Sequence, residues 1–140
     1  MSLNLLAVHD QITAKLRELP QDVYETSAPD DSKLRFDDAG NLLPYIVVQY
    51  SDMYPGLSNG ITGARYDMGT SYALITCVSS NQRAARQVAD LVRDKLTGFI
   101  PNDGGELRYA GGAVDYANPD VKPNRYVAEV GFTFAVNTAW

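Results

Sequence analysis

The sequence predicts an α+β domain in which an antiparallel or mixed β-sheet carries two α-helices packed on one face, with a long Gly-rich loop or hairpin between two strands. Three observations carry this expectation. Two segments, near residues 5–19 and 80–96, repeat apolar residues at three- and four-residue spacing. Several others are dense in β-branched and aromatic residues. The order along the chain is α-β-β-β-α-β-β, and 140 residues leave room for one core, so residues 1–140 read as a single domain.

In the first helix Leu5, Val8, Ile12, Leu16 and Leu19 fall on one stripe that stops before Pro20. Leu3 and Leu6 lie off it, either as a second apolar patch or as frayed terminal leucines. Val23 to Thr26 follows as a short strand, and Ser27 to Pro44, rich in Pro, Gly and Asp, reads as a long exposed connection. Tyr45 to Ser51 and Thr70 to Val78 read as neighbouring strands. Between them, Asp52 to Gly69 interleaves four glycines with Met53, Tyr54, Leu57, Ile61, Tyr66 and Met68. A loop of that length with apolar side chains among glycines points to a binding element.

Ser79 is the expected N-cap of the second helix, with Gln82 completing a capping box. Ala85, Val88, Ala89, Val92 and Leu96 form its buried stripe, Gly98 its left-handed stop, and Arg86 and Asp90 an i,i+4 pair on its wet face. Glu106 to Tyr116 reads as a strand interrupted at Gly111-Gly112. In the last strand Tyr126, Ala128, Val130, Phe132, Phe134 and Val136 alternate with Val127, Glu129, Gly131, Thr133, Ala135 and Asn137. The face away from the helices would present Tyr45, Val47, Gln49, Val127, Glu129 and Thr133, which is apolar enough to call for a cover.

Composition removes several functional classes. With 17 acidic against 12 basic residues, a net charge of -5 and a pI near 4.7, the chain lacks the dense basic face of a nucleic-acid binder. One cysteine, Cys77, excludes a disulfide within the chain, and with one histidine, His9, there are too few soft ligands for a zinc site. Cys77 is expected as a buried strand thiol. His9 and Asp10 are neighbours that cannot face each other on a helix, so His9 is expected to be an ordinary boundary residue rather than a general base. The glycine segments lack the Gly-Lys-Ser/Thr of a phosphate cradle, and the acids lack calcium-loop spacing. The first residues show neither a basic flank nor a long apolar run, so neither signal peptide nor membrane span is expected and the chain is expected to stay in the cytosol.

Tyrosine is the informative excess, nine in all. The dipeptide Arg-Tyr recurs at Arg65-Tyr66, Arg108-Tyr109 and Arg125-Tyr126. Both residue types are enriched in protein interfaces, although tyrosine also suits strands on its own account.

The layout resembles the tail terminator proteins of long-tailed, siphovirus-like bacteriophages across nearly the whole chain. The resemblance is carried by the helix Leu3 to Leu19 followed by Val23-Tyr24-Glu25-Thr26, and by the strand Leu43-Pro44-Tyr45-Ile46-Val47-Val48. It continues in the pair of strand Ser71 to Val78 and helix Ser80 to Leu96 with Arg83-Ala84-Ala85, and in the closing strand Asn124 to Phe134. It implies a structural virion protein and no enzyme, needing no cofactor or membrane. Such a protein assembles in host cytoplasm into a hexameric ring, caps the phage tail tube protein, stops its polymerisation and meets the head-tail connector proteins in the virion neck. DNA is then a passing, non-specific cargo. A neck head-tail adaptor shares parts of this layout and is the alternative, and a small α+β ligand-binding protein or enzyme, with a pocket lined by Tyr45, Gln49 and Glu129, is the alternative of another class.

A compact chain of this length has a radius of gyration of about 14 Å, so surrounding a duplex requires a closed ring of copies. On that view Met53, Tyr54, Leu57, Ile61, Arg65, Tyr66, Met68, Arg108, Tyr109, Arg125 and Tyr126 are the expected subunit and tube contacts. Asp30, Asp31, Asp37, Asp38, Glu106, Asp115 and Asp120 are the expected channel-facing acids, since negative walls do not grip passing phosphates.

Overall fold

The computed structural model describes residues 5–52, 54–55, 68–112, 116–118 and 124–137. Helix α1 spans Leu5–Leu16 and α2 Gln82–Leu96. The strands are β1 Asp22–Glu25, β2 Tyr45–Tyr50, β3 Tyr54–Pro55, β4 Met68–Ser79, β5 Arg108–Tyr109, β6 Tyr116–Asn118 and β7 Arg125–Asn137. They form one open mixed sheet in the order β1-β2-β4-β7-β5, with β3 on β4 and β6 on β7. Only β1 and β2 run parallel; the other pairs are antiparallel.

The alternation in β7 sets which side is core. Ala128, Val130, Phe132, Phe134 and Val136 share a face with Ile46 and Val48 of β2 and Ala73, Ile75 and Cys77 of β4, and all of them are buried. Onto that face α1 delivers Val8, Ile12 and Leu16, and α2 delivers Ala85, Val88, Ala89, Val92 and Leu96, so both helices lie on one side, as the sequence predicts. Cys77 is buried as expected, and its desolvated surroundings push the thiol up to about 12.

Four local expectations are corrected. Helix α1 gives up its α-pattern at Leu16, because Glu18 N–H donates to Lys15 O and Leu19 N–H to Leu16 O, a tightened last turn before Pro20. Leu19 still packs on the core. The N-cap of α2 is Asn81, not Ser79: its side chain accepts from Arg83 N–H at 2.8 Å and Ala84 N–H at 3.4 Å. Ser79 cannot serve there because β4 runs through it, paired with Tyr126. Asp90 pairs at 2.6 Å with Arg93, one turn on, rather than forming the expected pair with Arg86. At the other end of α2, Gly98 (φ 82) turns the chain as expected, and its N–H donates to Leu107 O at 3.1 Å.

The fourth correction concerns residues 27–44, expected as an exposed connection. The segment folds back over the helix-free face and inserts Leu34 and Leu42 into a second cluster with Tyr45, Val47, Val78 and Val127. This is the cover that the apolar face called for. Asp37 builds its turn: the carboxylate accepts from Ala39 N–H at 2.9 Å and Asn41 N–H at 2.8 Å, while Phe36 bridges Leu42. Those bonds, from Asn41 first, hold the Asp37 carboxyl below its usual range.

Candidate assembly interface

Four of the expected contact residues fall on β5 and β7, and two more, Tyr54 and Met68, lie in β3 and β4. Arg108 and Tyr109 form β5 opposite Thr133 and Phe132, so neighbouring side chains go to opposite faces of the sheet. Arg108 is exposed on the face without helices. Tyr109 turns to the helix side, where its ring meets Phe132 edge-on at 6.0 Å and lies under the Arg93 guanidinium at 5.2 Å. Arg93 in turn bonds Asp90, and that bond, ahead of the Tyr109 contact, raises the guanidinium above its ordinary value. Tyr109 keeps 45% of its surface exposed.

The result is a cleft of about 390 Å³ between α2 and the sheet edge, where Arg86, Asp90 and Arg93 face Tyr109, Gly112 and Glu129. Arg86, Asp90 and Arg93 line it from α2, whereas Glu129, in register with Thr76 and Val47, sends its carboxylate to the helix-free face and borders the cleft through its backbone. A planar ring beside guanidinium groups, one of them already bonded to Asp90, suits a protein contact. Gly112 lies so close to the Glu129 carbonyl that a Cβ there would collide with it. Arg93 was not legible as a partner of Tyr109, because helical spacing only marks it as wet.

Arg125 and Tyr126 open β7 at its other end, partly buried, beside Asn118 and Ala117 of β6. Thr133, the partner of Arg108, is eight residues from Arg125 along β7. At strand rise that is about 27 Å, so the two Arg-Tyr pairs form separate contact points. Tyr54 lies in β3 opposite Thr70, and Met68 opens β4 opposite Asn137. Met53, Leu57, Ile61, Arg65 and Tyr66 lie outside the described residues, as do Leu3, Asp115 and Asp120. Among the expected channel acids, Asp30, Asp37 and Asp38 are exposed on the 27–44 cover, and Asp31 begins a short 3-10 turn there. Glu106 is exposed at the far edge, next to the stretch in which Gly104 bridges Val136. The described acids thus occupy two places.

The pocket expected from Tyr45, Gln49 and Glu129 is not formed. Glu129 shares the helix-free face with the other two, but Tyr45 is buried under the cover and Gln49 donates to the Thr26 carbonyl at 3.0 Å. His9 is engaged more deeply than expected: it stacks on Tyr50 at 4.1 Å, and its Nε2 lies 3.2 Å from Ser71 Oγ. Ser71 is fully buried and donates to the Ser51 carbonyl, so this serine–histidine contact ties α1 to the sheet and presents no accessible nucleophile. Burial lowers the His9 pKa and raises that of Tyr50, whose hydroxyl bonds Thr13 at 2.7 Å and the His9 carbonyl at 3.1 Å. Among the described residues no cluster of three or more potential metal ligands occurs, and no helix is long and apolar enough to cross a membrane.

Comparison with protein-family models and with curated proteins gives no match. Among solved structures, a chain in the virion of a native gene transfer agent (GTA) particle has a similar fold, with a TM-score of 0.52 at 16% identity. The likeness runs end to end, over 96% of this chain and 95% of that one.

Proposed function

We propose that this chain is a structural component of a phage-type virion, and within that class a tail terminator. Copies close into a hexameric ring on the last ring of tail tube protein, stop its growth and present a docking surface to the head-tail connector. The observation that carries the virion reading is the end-to-end likeness of fold to a chain of the GTA virion particle. Two features favour a contact role over catalysis. The serine that His9 contacts, Ser71, is fully buried, and the described recess beside α2 is rimmed by the Tyr and Arg types that interfaces use. The surplus of acids suits a conduit through which DNA slides without being held.

The test is assembly. Sedimentation and negative-stain microscopy of the purified chain, alone and mixed with tail tube protein, should show rings and tubes of arrested length. Rings that bind a head-tail connector but leave tube growth unchanged would assign the adaptor role instead. A chain that stays monomeric and leaves tubes unaffected would overturn the proposal.

A further inference from the structure

The two edges of the sheet differ in charge. At the β1 edge a cleft of about 490 Å³ is lined by Arg17, Lys33 and Arg35, with Asp22 as its acid, a local charge of +2 in a chain whose net charge is -5. Gln21 Oε1 in the same cleft is shielded and has no hydrogen-bond partner among the described residues. The backbone is available as well. In a parallel pair, alternate residues turn both polar groups to the neighbour. Thr26 N–H donates to Val48 O at 2.9 Å, so Tyr24 and Thr26 face β2 while Val23 and Glu25 point past the sheet, where no further described strand lies. At the opposite edge, the stretch leading into β5 carries exposed Asp103 and Glu106 against Arg108, a local charge of -1.

We propose that the β1 edge and its basic cleft receive the acidic β5 edge of a second copy of this chain, continuing the sheet from subunit to subunit. Pairing two β1 edges about a two-fold axis would set Arg17, Lys33 and Arg35 against their own copies, which electrostatics disfavours. The contact is therefore heterologous, the kind that closes into a ring when the rotation permits. The N–H and C=O of Val23 and the N–H of Glu25 supply strand pairing, the Glu25 carbonyl already accepting from Ser27 N–H at 2.8 Å, and the unlike charges select the partner edge. Its closure into a ring rests on the function proposed above; the edge contact itself does not.

Three variants test it by sedimentation velocity and native mass spectrometry, with circular dichroism as the folding control. Arg17→Glu with Lys33→Glu, and separately Asp103→Lys with Glu106→Lys, should each weaken assembly about tenfold or more, and mixing the two proteins should restore it as alternating copies. Glu25→Pro removes an outward N–H while leaving the β1–β2 bonds in place, and should weaken assembly without loss of circular dichroism signal. Rings that persist unchanged in Glu25→Pro and in both charge variants would overturn the edge contact while leaving the ring reading intact. Dimers or open filaments that these variants abolish would support the contact and count against the ring. A parent chain that is monomeric at every concentration would overturn both.

Discussion

The sheet is covered twice, by different means. On one face two helices bury a continuous cluster in which Phe132, Ile75, Ile46 and Val92 lose all exposure. On the other the 27–44 segment covers part of the surface with Leu34 and Leu42, held by the Asp37 turn and by an ion pair from Arg35 to Asp22. The helical cover is built of repeating contacts, each supported by its neighbours in the same element. The loop cover hangs on two apolar plugs and a few polar ties. The two should therefore differ in stability, the loop opening at lower cost than the core.

The largest effect is expected at the helix-covered face. Phe132→Ala should cost about 3–5 kcal/mol, read from urea unfolding, because a closely packed site cannot collapse around the lost ring. Leu42→Ala should cost about 2 kcal/mol, with faster hydrogen exchange confined to residues 27–44. Equal costs at the two positions would mean that cover and core unfold as one unit, and the contrast would fail.

The same contrast explains what was legible in the sequence. The β7 alternation and the α2 stripe were readable because a regular element writes its period into the chain. Leu34 and Leu42 lie in a segment of Pro, Gly and Asp and follow no period, so nothing local distinguished a cover from a free loop. The cap of α2 was misplaced by two residues because Ser79 and Asn81 are both good caps, and the choice falls to the length of β4, a tertiary matter. His9 with Ser71, and Arg93 with Tyr109, meet across long stretches of chain and leave no spacing signature.

Helix anchoring gives the next effect. Asn81→Ala should cost about 1 kcal/mol, since two N–H groups at the start of α2 lose their acceptor. Ser79→Ala should cost less, as its hydroxyl accepts one N–H at 3.3 Å. The reverse order in thermal melts would return the cap to Ser79.

A pH experiment probes the seam between α1 and the sheet. Burial lowers the His9 pKa below 6.5, so the unfolded chain binds this proton more readily than the folded one. His9 therefore stabilises the fold fully above about pH 6.5, loses that contribution as pH falls toward the folded-state value, and adds no further loss below it. His9→Phe keeps a ring on Tyr50 and removes the proton. The difference in urea midpoint between parent and variant should change from pH 7.5 to pH 5, against the parent. A constant difference would show that the imidazole titrates as it does in water.

The smallest effect is expected where the loop cover is tied by charge. Arg35 grips Asp22 through Nε at 2.7 Å and a second nitrogen at 3.1 Å, a two-point pair that joins the cover to β1. The arginine side chain keeps 61% of its surface in water and the aspartate 37%, so solvent screens most of the attraction. Arg35→Ala should cost about 0.5 kcal/mol in global stability, and less in added salt. Its local effect should be clearer, because the free energy that closes the cover is itself small: exchange at residues 33–43 should quicken while α2 and β7 keep their protection. If Arg35→Ala instead destabilises the whole domain as Leu42→Ala does, the cover is held chiefly by the ion pair, and the two leucines are passengers on a loop that charge has fastened.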